Sequence, residues 1–189
     1  MRWKSHVRCG VGEKPEIISN AYLSLLEKML ISGVAADKDV SRISLVGVKD
    51  KPGIAFEVFS LMAREKISVD IILQSIGRDD TKDISFTVSK SDLEQTLKVL
   101  KENQQRLTAQ KIMHDDKIAK LSVVGAGMAT NPGVASLFFE ALYDADVNIS
   151  MISTSEIKIS VLIDESEVDV AMNSVHDKFK TATASMRKH

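Results

Sequence analysis

The chain repeats itself, and that repeat limits its possible folds more than any other feature. Arg42-Ile-Ser-Leu-Val-Gly47 returns as Lys120-Leu-Ser-Val-Val-Gly125, and Pro52-Gly-Ile-Ala55 returns as Pro132-Gly-Val-Ala135. The apolar positions Ile54, Ala55, Val58, Phe59 and Met62 return as Val134, Ala135, Phe138, Phe139 and Leu142. Ile67-Ser-Val-Asp70 returns as Val147-Asn-Ile-Ser150, and Ile84-Ser-Phe-Thr-Val88 as Ile159-Ser-Val-Leu-Ile163. The offset drifts only slightly, from about 78 residues at the first strand to about 75 at the last. Loops absorb the drift, as a duplicated unit requires.

Within each copy the pattern predicts strand, helix, strand, strand, helix. β-branched runs such as Ile43–Val46 read as strands; the spacing of Ile54, Val58, Phe59 and Met62 reads as one face of a helix. Copy one opens its second helix at Ser91-Asp-Leu-Glu94, a capping-box pattern, and copy two at Asp164-Glu-Ser-Glu167. Copy one then supplies a further strand near Ala109–His114. Copy two ends in a polar, basic tail from residue 181 to 189. Its missing strand is expected from the apolar lead-in Leu30–Ala36, which precedes copy one through the acidic turn Asp37-Lys-Asp39. Copy one leads to copy two through a matching turn, Asp115-Asp-Lys117, read as an exposed turn rather than a metal site.

The expected fold is therefore α+β: two ferredoxin-like βαββαβ units, the first inserted into the second. The boundaries read as unit 1 over 41–117, unit 2 over 29–40 plus 118–180, a tail over 181–189, and an N-terminal extension over 1–28. That extension has an amphipathic helix from Ile17 to Leu26, read as packing on the domain or docking a partner.

Composition removes several function classes. Charged residues are nearly balanced, with a formal net charge of −1, so a general nucleic-acid or anionic-membrane binder is disfavoured. The single cysteine, Cys9, excludes an internal disulfide framework and fits a reducing compartment. There is no apolar run near the roughly 20 residues of a membrane helix, and the N-terminal residues lack the apolar core of a secretion signal. A cytoplasmic location is expected. The four histidines have no metal-like spacing, Gly125-Ala-Gly127 lacks the third glycine of a dinucleotide loop, and no phosphate loop occurs. No cofactor, metal or catalytic residue is expected. An RNA-binding βαββαβ fold needs exposed aromatics on its sheet, and only Phe86 lies in the relevant strands.

The strand-to-helix loop is the most informative local feature. Asp50, Lys51, Pro52 and Gly53 lead into Ile54 and Ala55 at a helix N-terminus, whose free N–H groups and partial positive charge suit a carboxylate. Asp50 in the same loop suits an ammonium. A free α-amino acid has both groups. The alternative is a strand-to-helix turn without a ligand.

The chain resembles the C-terminal regulatory half of aspartate kinase, a tandem of ACT domains, from about Ile31 to Phe179. The resemblance rests on Ile31-Ser-Gly-Val-Ala-Ala-Asp-Lys38, Asp50-Lys-Pro-Gly53, Asp83-Ile-Ser-Phe-Thr-Val88, Asn131-Pro-Gly-Val134 and Met151-Ile-Ser-Thr-Ser-Glu-Ile-Lys-Ile-Ser160. It implies an allosteric module binding lysine, threonine or both. It also implies a homodimer through its ACT units and, as a partner, an aspartate kinase catalytic subunit. The alternative is a free-standing ACT sensor acting on another protein. By resemblance, binding falls on Asp50, Gly53, Ala55, Asp70 and Gln74, completed by Val134, Asn148 and Ile149 of a facing unit. A mirrored site uses Asn131, Pro132, Gly133, Val134 and Ala135 with Ser153 and Thr154. The family commonly has Asn after the strand glutamine, where Ser75 stands here, and the Lys-Phe-Gly-Gly motif of the kinase lobe does not occur in this sequence.

Overall fold

The computed structural model describes residues 30–76, 80–126 and 133–186. The expected N-terminal helix, and Asn131 and Pro132 of the expected site, lie outside them. The described elements run β1 (Leu30–Asp37), β2 (Ser41–Lys49), α1 (Ile54–Arg64), β3 (Ile72–Ile76), β4 (Thr81–Val88), α2 (Leu93–Glu102), the short α3 (Gln104–Leu107), β5 (Lys111–Asp115), β6 (Ile118–Ala126), α4 (Gly133–Asp144), β7 (Met151–Thr154), β8 (Lys158–Asp164) and α5 (Val168–Met186). The residues expected to form a tail are thus partly helix, because α5 continues to Met186. Residues 181–186 read as part of a polar tail, but the alanines and Met186 among them are good helix formers.

The strands form two antiparallel four-stranded sheets, in the orders β3-β4-β2-β5 and β1-β6-β8-β7. Numbered within each repeat, both orders are the ferredoxin-like 4-1-3-2. In the second sheet the fourth strand is β1, paired with β6 from Leu30↔Ala126 to Asp37↔Lys120. Copy one is therefore inserted in copy two: the chain leaves the second sheet after β1, completes the first, and returns at β6.

Alternation decides which face each sheet buries. Ile43, Leu45, Ile84 and Phe86 of the first sheet pack with Ile54, Val58, Leu61 and Met62 of α1 and with Val99 and Leu100 of α2. Leu121, Val123, Val161 and Ile163 of the second pack with Val134, Leu137, Phe138 and Ala141 of α4 and Ala171 and Val175 of α5. On the opposite faces the repeat shows again: Ser44 and Ser85 hydroxyls meet at 2.8 Å in one sheet, Ser122 and Ser160 at 2.8 Å in the other.

The second helix of unit 1 begins differently from its sequence pattern. Ser89, not Ser91, accepts the Asp92 N–H, and Lys90–Asp92 form a 3₁₀ turn before α2; Ser91 instead meets Ser89, hydroxyl to hydroxyl, at 2.8 Å. In unit 2 Asp164 accepts the Ser166 N–H at the equivalent place. A cap read from spacing alone misses a 3₁₀ turn, because both helix types place a side-chain oxygen near an N–H two or three residues on.

The two first helices end alike. Lys66 (φ 60) donates to Ala63 O and Ile67 to Met62 O; Asp146 (φ 56) donates to Tyr143 O and Val147 to Leu142 O. Both are Schellman ends whose left-handed position holds a residue with a Cβ.

The units meet along an apolar seam formed by Val40, at the entry to β2, and Ile71 of unit 1 with Ile118, Met151 and Leu162 of unit 2. Val40 and Ile118 are repeat equivalents, as are Ile71 and Met151. Beside the seam, Lys120 Nζ lies 3.1 Å from Asp37 and 2.6 Å from Asp70, with its side chain only 16% exposed. Burial works against both charges. The Asp70 and Asp37 hydrogen bonds and charges still leave the Lys120 ammonium above its ordinary range, while Lys120 and the Asp39 N–H leave the Asp37 carboxyl below its own.

Two outcomes are expected. Lys66→Gly or Asp146→Gly removes a left-handed Cβ and should raise unfolding free energy by about 1 kcal/mol in urea titration. A carboxyl depressed in the folded state contributes stability that is full above its unfolded value and is lost as pH falls through its folded value. Asp37→Asn should therefore lower the unfolding free energy from urea titration at neutral pH, by about 1 kcal/mol or less because Asp37 is partly exposed to solvent. That difference should vanish in acid, and a pH-independent difference would exclude the ionic role.

Candidate functional site

The strand-to-helix loop of unit 1 is shaped by a bulge. The β2–β4 register shifts between Leu45 and Val48, and Gly47 takes φ 65, a left-handed value at which a Cβ is strained. Asp83 on β4 accepts the Gly47 N–H at 2.8 Å. The strand end is then tied on both sides: Lys49 N–H donates to Thr108 Oγ1 at 3.1 Å and Asp50 N–H to Asp80 O at 2.8 Å. Gly53, at φ 89, turns the chain into α1, and no side chain caps that helix. Ile54 N–H donates back to Lys51 O at 3.3 Å, and Glu57 N–H to Gly53 O at 2.9 Å. Glu57 is the acidic residue of the first turn. It is held below the usual carboxylate range mainly by the hydrogen bond from Lys51 at 2.9 Å, with Arg106 adding charge at 3.7 Å.

Among the expected site residues, Asp50, Lys51, Pro52, Gly53 and Ala55 lie together at this end of the first sheet. Pro52 and Gly53 are exposed, Lys51 and Ala55 half-buried, and Ile54 is buried in the unit 1 core. Asp50 does not stand free, because Lys82 Nζ lies 2.9 Å from its carboxylate. Gln74 is exposed on the edge strand β3, paired in register with Ile84, near the same end.

Asp70 lies elsewhere. It precedes β3, and its N–H donates to Thr87 O at 3.1 Å, so it sits at the seam end of the sheet, where its carboxylate meets Lys120. Asn148 and Ile149 occupy the equivalent end of unit 2, lining a depression of about 210 Å³ with Lys117, Ile118 and Asp164. Its repeat counterpart, of about 240 Å³, is lined by Asp39, Val40, Ser68, Val69, Ser89 and Lys120. Gly133, Val134 and Ala135 open α4, with Val134 buried in the unit 2 core. Ser153 and Thr154 lie on the edge strand β7, opposite Ser160 and Ile159.

Each chain thus presents two kinds of end: a loop end, with the residues around Asp50 and Gln74, and a seam end, with Asp70, Asn148 and Ile149. Sequence reasoning missed Lys82, Asp83 and Lys120. A signal for Lys120 existed, since each first strand begins with a cation, Arg42 and Lys120, and each preceding turn with an acid, Asp37 and Asp115. Arg42 and Asp115 indeed pair, at 3.4 Å.

A family model for the ACT domain matches the chain twice, over residues 43–104 and 121–179. The aspartokinase of Helicobacter pylori is 46% identical over 151 residues, which is 80% of this chain and 37% of that protein. Among solved structures, that of aspartokinase alpha and beta subunits has a TM-score of 0.74 at 44% identity and covers 79% of this chain and 99% of its own. The ligand-free regulatory subunit of aspartate kinase from Thermus thermophilus has a TM-score of 0.75 at 36% identity, again with 79% and 99% covered. The chain spans little more than a third of the curated aspartokinase it matches, yet nearly all of the solved regulatory subunit. With its two ACT repeats and this kinship, the chain belongs to the ACT-domain family, within the regulatory region of the aspartokinases.

Proposed function

We propose that this chain is an allosteric regulatory module of aspartate kinase that binds a feedback amino acid, lysine or threonine or both. The observation that carries the reading is the loop end of unit 1. There an uncapped helix N-terminus after Gly53 and the carboxylate of Asp50 lie on one short loop, with Gln74 exposed on the neighbouring edge strand. The helix end receives the ligand carboxylate. The ligand ammonium takes the place of Lys82 at Asp50, and Gln74 completes the polar contacts.

Asp70, Asn148 and Ile149 belong to the same site only if a second copy presents its seam end to this loop. Exposed apolar side chains on the edge strands β3 and β7 support a homodimer. Ile72 and Leu73 on β3 are 53% and 44% exposed, and Ile152 on β7 is 44% exposed. Exposed apolar edge strands invite pairing with another chain. In this reading the kinase activity, ATP:aspartate phosphotransfer, belongs to a catalytic partner in the cytoplasm. The ligand acts by its differential affinity for two arrangements of the units, with coupling of about 1–3 kcal/mol.

The test is melting of the purified chain with lysine, with threonine and with neither. A ligand at about one hundred times its Kd should add about 2.7 kcal/mol of stability. Gln74→Ala and Asp50→Asn should each weaken calorimetric affinity about tenfold, or about 1.4 kcal/mol, while leaving the unliganded fold intact. No shift with either amino acid would overturn the sensor reading, and unchanged affinity in both variants would overturn the site.

A further inference from the structure

Two chain crossings join the units: residues 38–40 between β1 and β2, and residues 116–117 between β5 and β6. Each is pinned by an Asx turn. Asp39 N–H donates to Asp37 Oδ1 at 3.0 Å, and Lys117 N–H to Asp115 Oδ1 at 3.1 Å. Val40 ends one crossing and Ile118 follows the other, and both enter the apolar seam. Apolar contacts have no preferred direction, so a seam of five such residues does not by itself fix the rotation about the crossings. The Lys90 N–H to Asp39 Oδ1 bond at 2.9 Å and the Glu165 N–H to Lys117 O bond at 3.0 Å also tie that rotation. Hydrogen-bonded ion pairs do have direction. Two of them span the units: Lys90 Nζ to Glu165 at 2.6 Å, and Lys120 Nζ to Asp70 at 2.6 Å.

The repeat is unequal here. Lys90 and Glu165 are equivalent positions, each in the turn before its unit's second long helix, and their pair joins the two halves symmetrically. Lys120 corresponds to Arg42, but the residue corresponding to Asp70 is Ser150, whose hydroxyl donates to Leu162 O within its own unit. Arg42 therefore meets no carboxylate at that place. Lys120 is also the more enclosed cation, 16% exposed against 32% for Lys90.

We propose that Lys120 is a positioning residue that fixes the angle between the two ACT units, by holding Asp37 of its own unit and Asp70 of the other. The clasp stands on geometry alone; only its consequence rests on the amino-acid reading above. Asp70 leads directly into β3, which carries Gln74. A ligand that moves β3 pulls on Lys120, and the displacement reaches β6 in the other unit. The repeat's asymmetry makes this a single connection: its counterpart is not formed, because Ser150 stands where Asp70 would and bonds within its own unit.

Hydrogen exchange on the whole chain, read by mass spectrometry, tests the clasp without any ligand. Lys120→Met and Asp70→Asn should each speed exchange at residues 38–40 and 116–117 about tenfold, while peptides from α1 and α4 keep wild-type rates. Lys120→Arg should restore slow exchange. Asp144→Asn, which removes a surface partner of Lys178 within unit 2, should leave both crossings unchanged. Wild-type rates at the crossings in Lys120→Met would overturn the proposal, as would equal acceleration through α1 and α4, which would mean a general loss of stability. Failure of lysine and threonine to shift the melt would sink the sensor reading and leave this result standing.

Discussion

The pairing of β1 with β6 is the constraint on which the architecture depends. Without β1, the sheet β6-β8-β7 has a bare edge beside its central strand. An open row of N–H and C=O groups there would meet water or another chain. Because β1 precedes the whole of unit 1 in sequence, closing this sheet forces the chain to cross between units twice. The crossings place Val40 and Ile118 side by side, and the seam, its ion pairs and the paired depressions beside it all follow from that placement.

Duplication explains the symmetry of the molecule, and single substitutions explain where it breaks. The two serine pairs on the sheet faces, the two Schellman ends and the two Asx turns are inherited features that neither copy has lost. Asp70 against Ser150 is different: that one side-chain change adds an ion pair to the neighbouring unit that the other copy does not make. Lys82 beside Asp50 is a second such departure, since Ile157 stands at the equivalent place in unit 2.

Most of the fold was legible in the sequence, because strand alternation and helical spacing are strong signals when each appears twice. The repeat exposed the missing strand of unit 2, and the lead-in around Leu30–Ala36 was the apolar segment left to supply it. The loop before α1 was legible from Asp50, Pro52 and Gly53, since turn residues announce themselves. The partners of long charged side chains were not. Whether Lys82 reaches Asp50 depends on the bulge at Gly47, and whether Lys120 reaches Asp70 depends on how the units lean together. Neither quantity is periodic, so neither leaves a pattern in the chain. Asp70 was placed with Asp50 by resemblance, yet the strand register sets them at opposite ends of the same sheet.

The insertion also bears on how the molecule is made. β1 and β6 must find each other across some eighty residues of chain, a closure that is slow when the intervening segment is disordered. Unit 1 has all its strands in one continuous stretch, and its first and last strands are antiparallel neighbours, with Arg42 opposite Asp115. Once folded, it holds its own two ends side by side and delivers β1 and β6 to each other as if joined by a short hairpin. The cheapest order of events is therefore for the inserted unit to form first and act as a template for the unit that surrounds it. During synthesis the ribosome releases the pieces in that same order, with β1 waiting as an unpaired strand until β6 emerges.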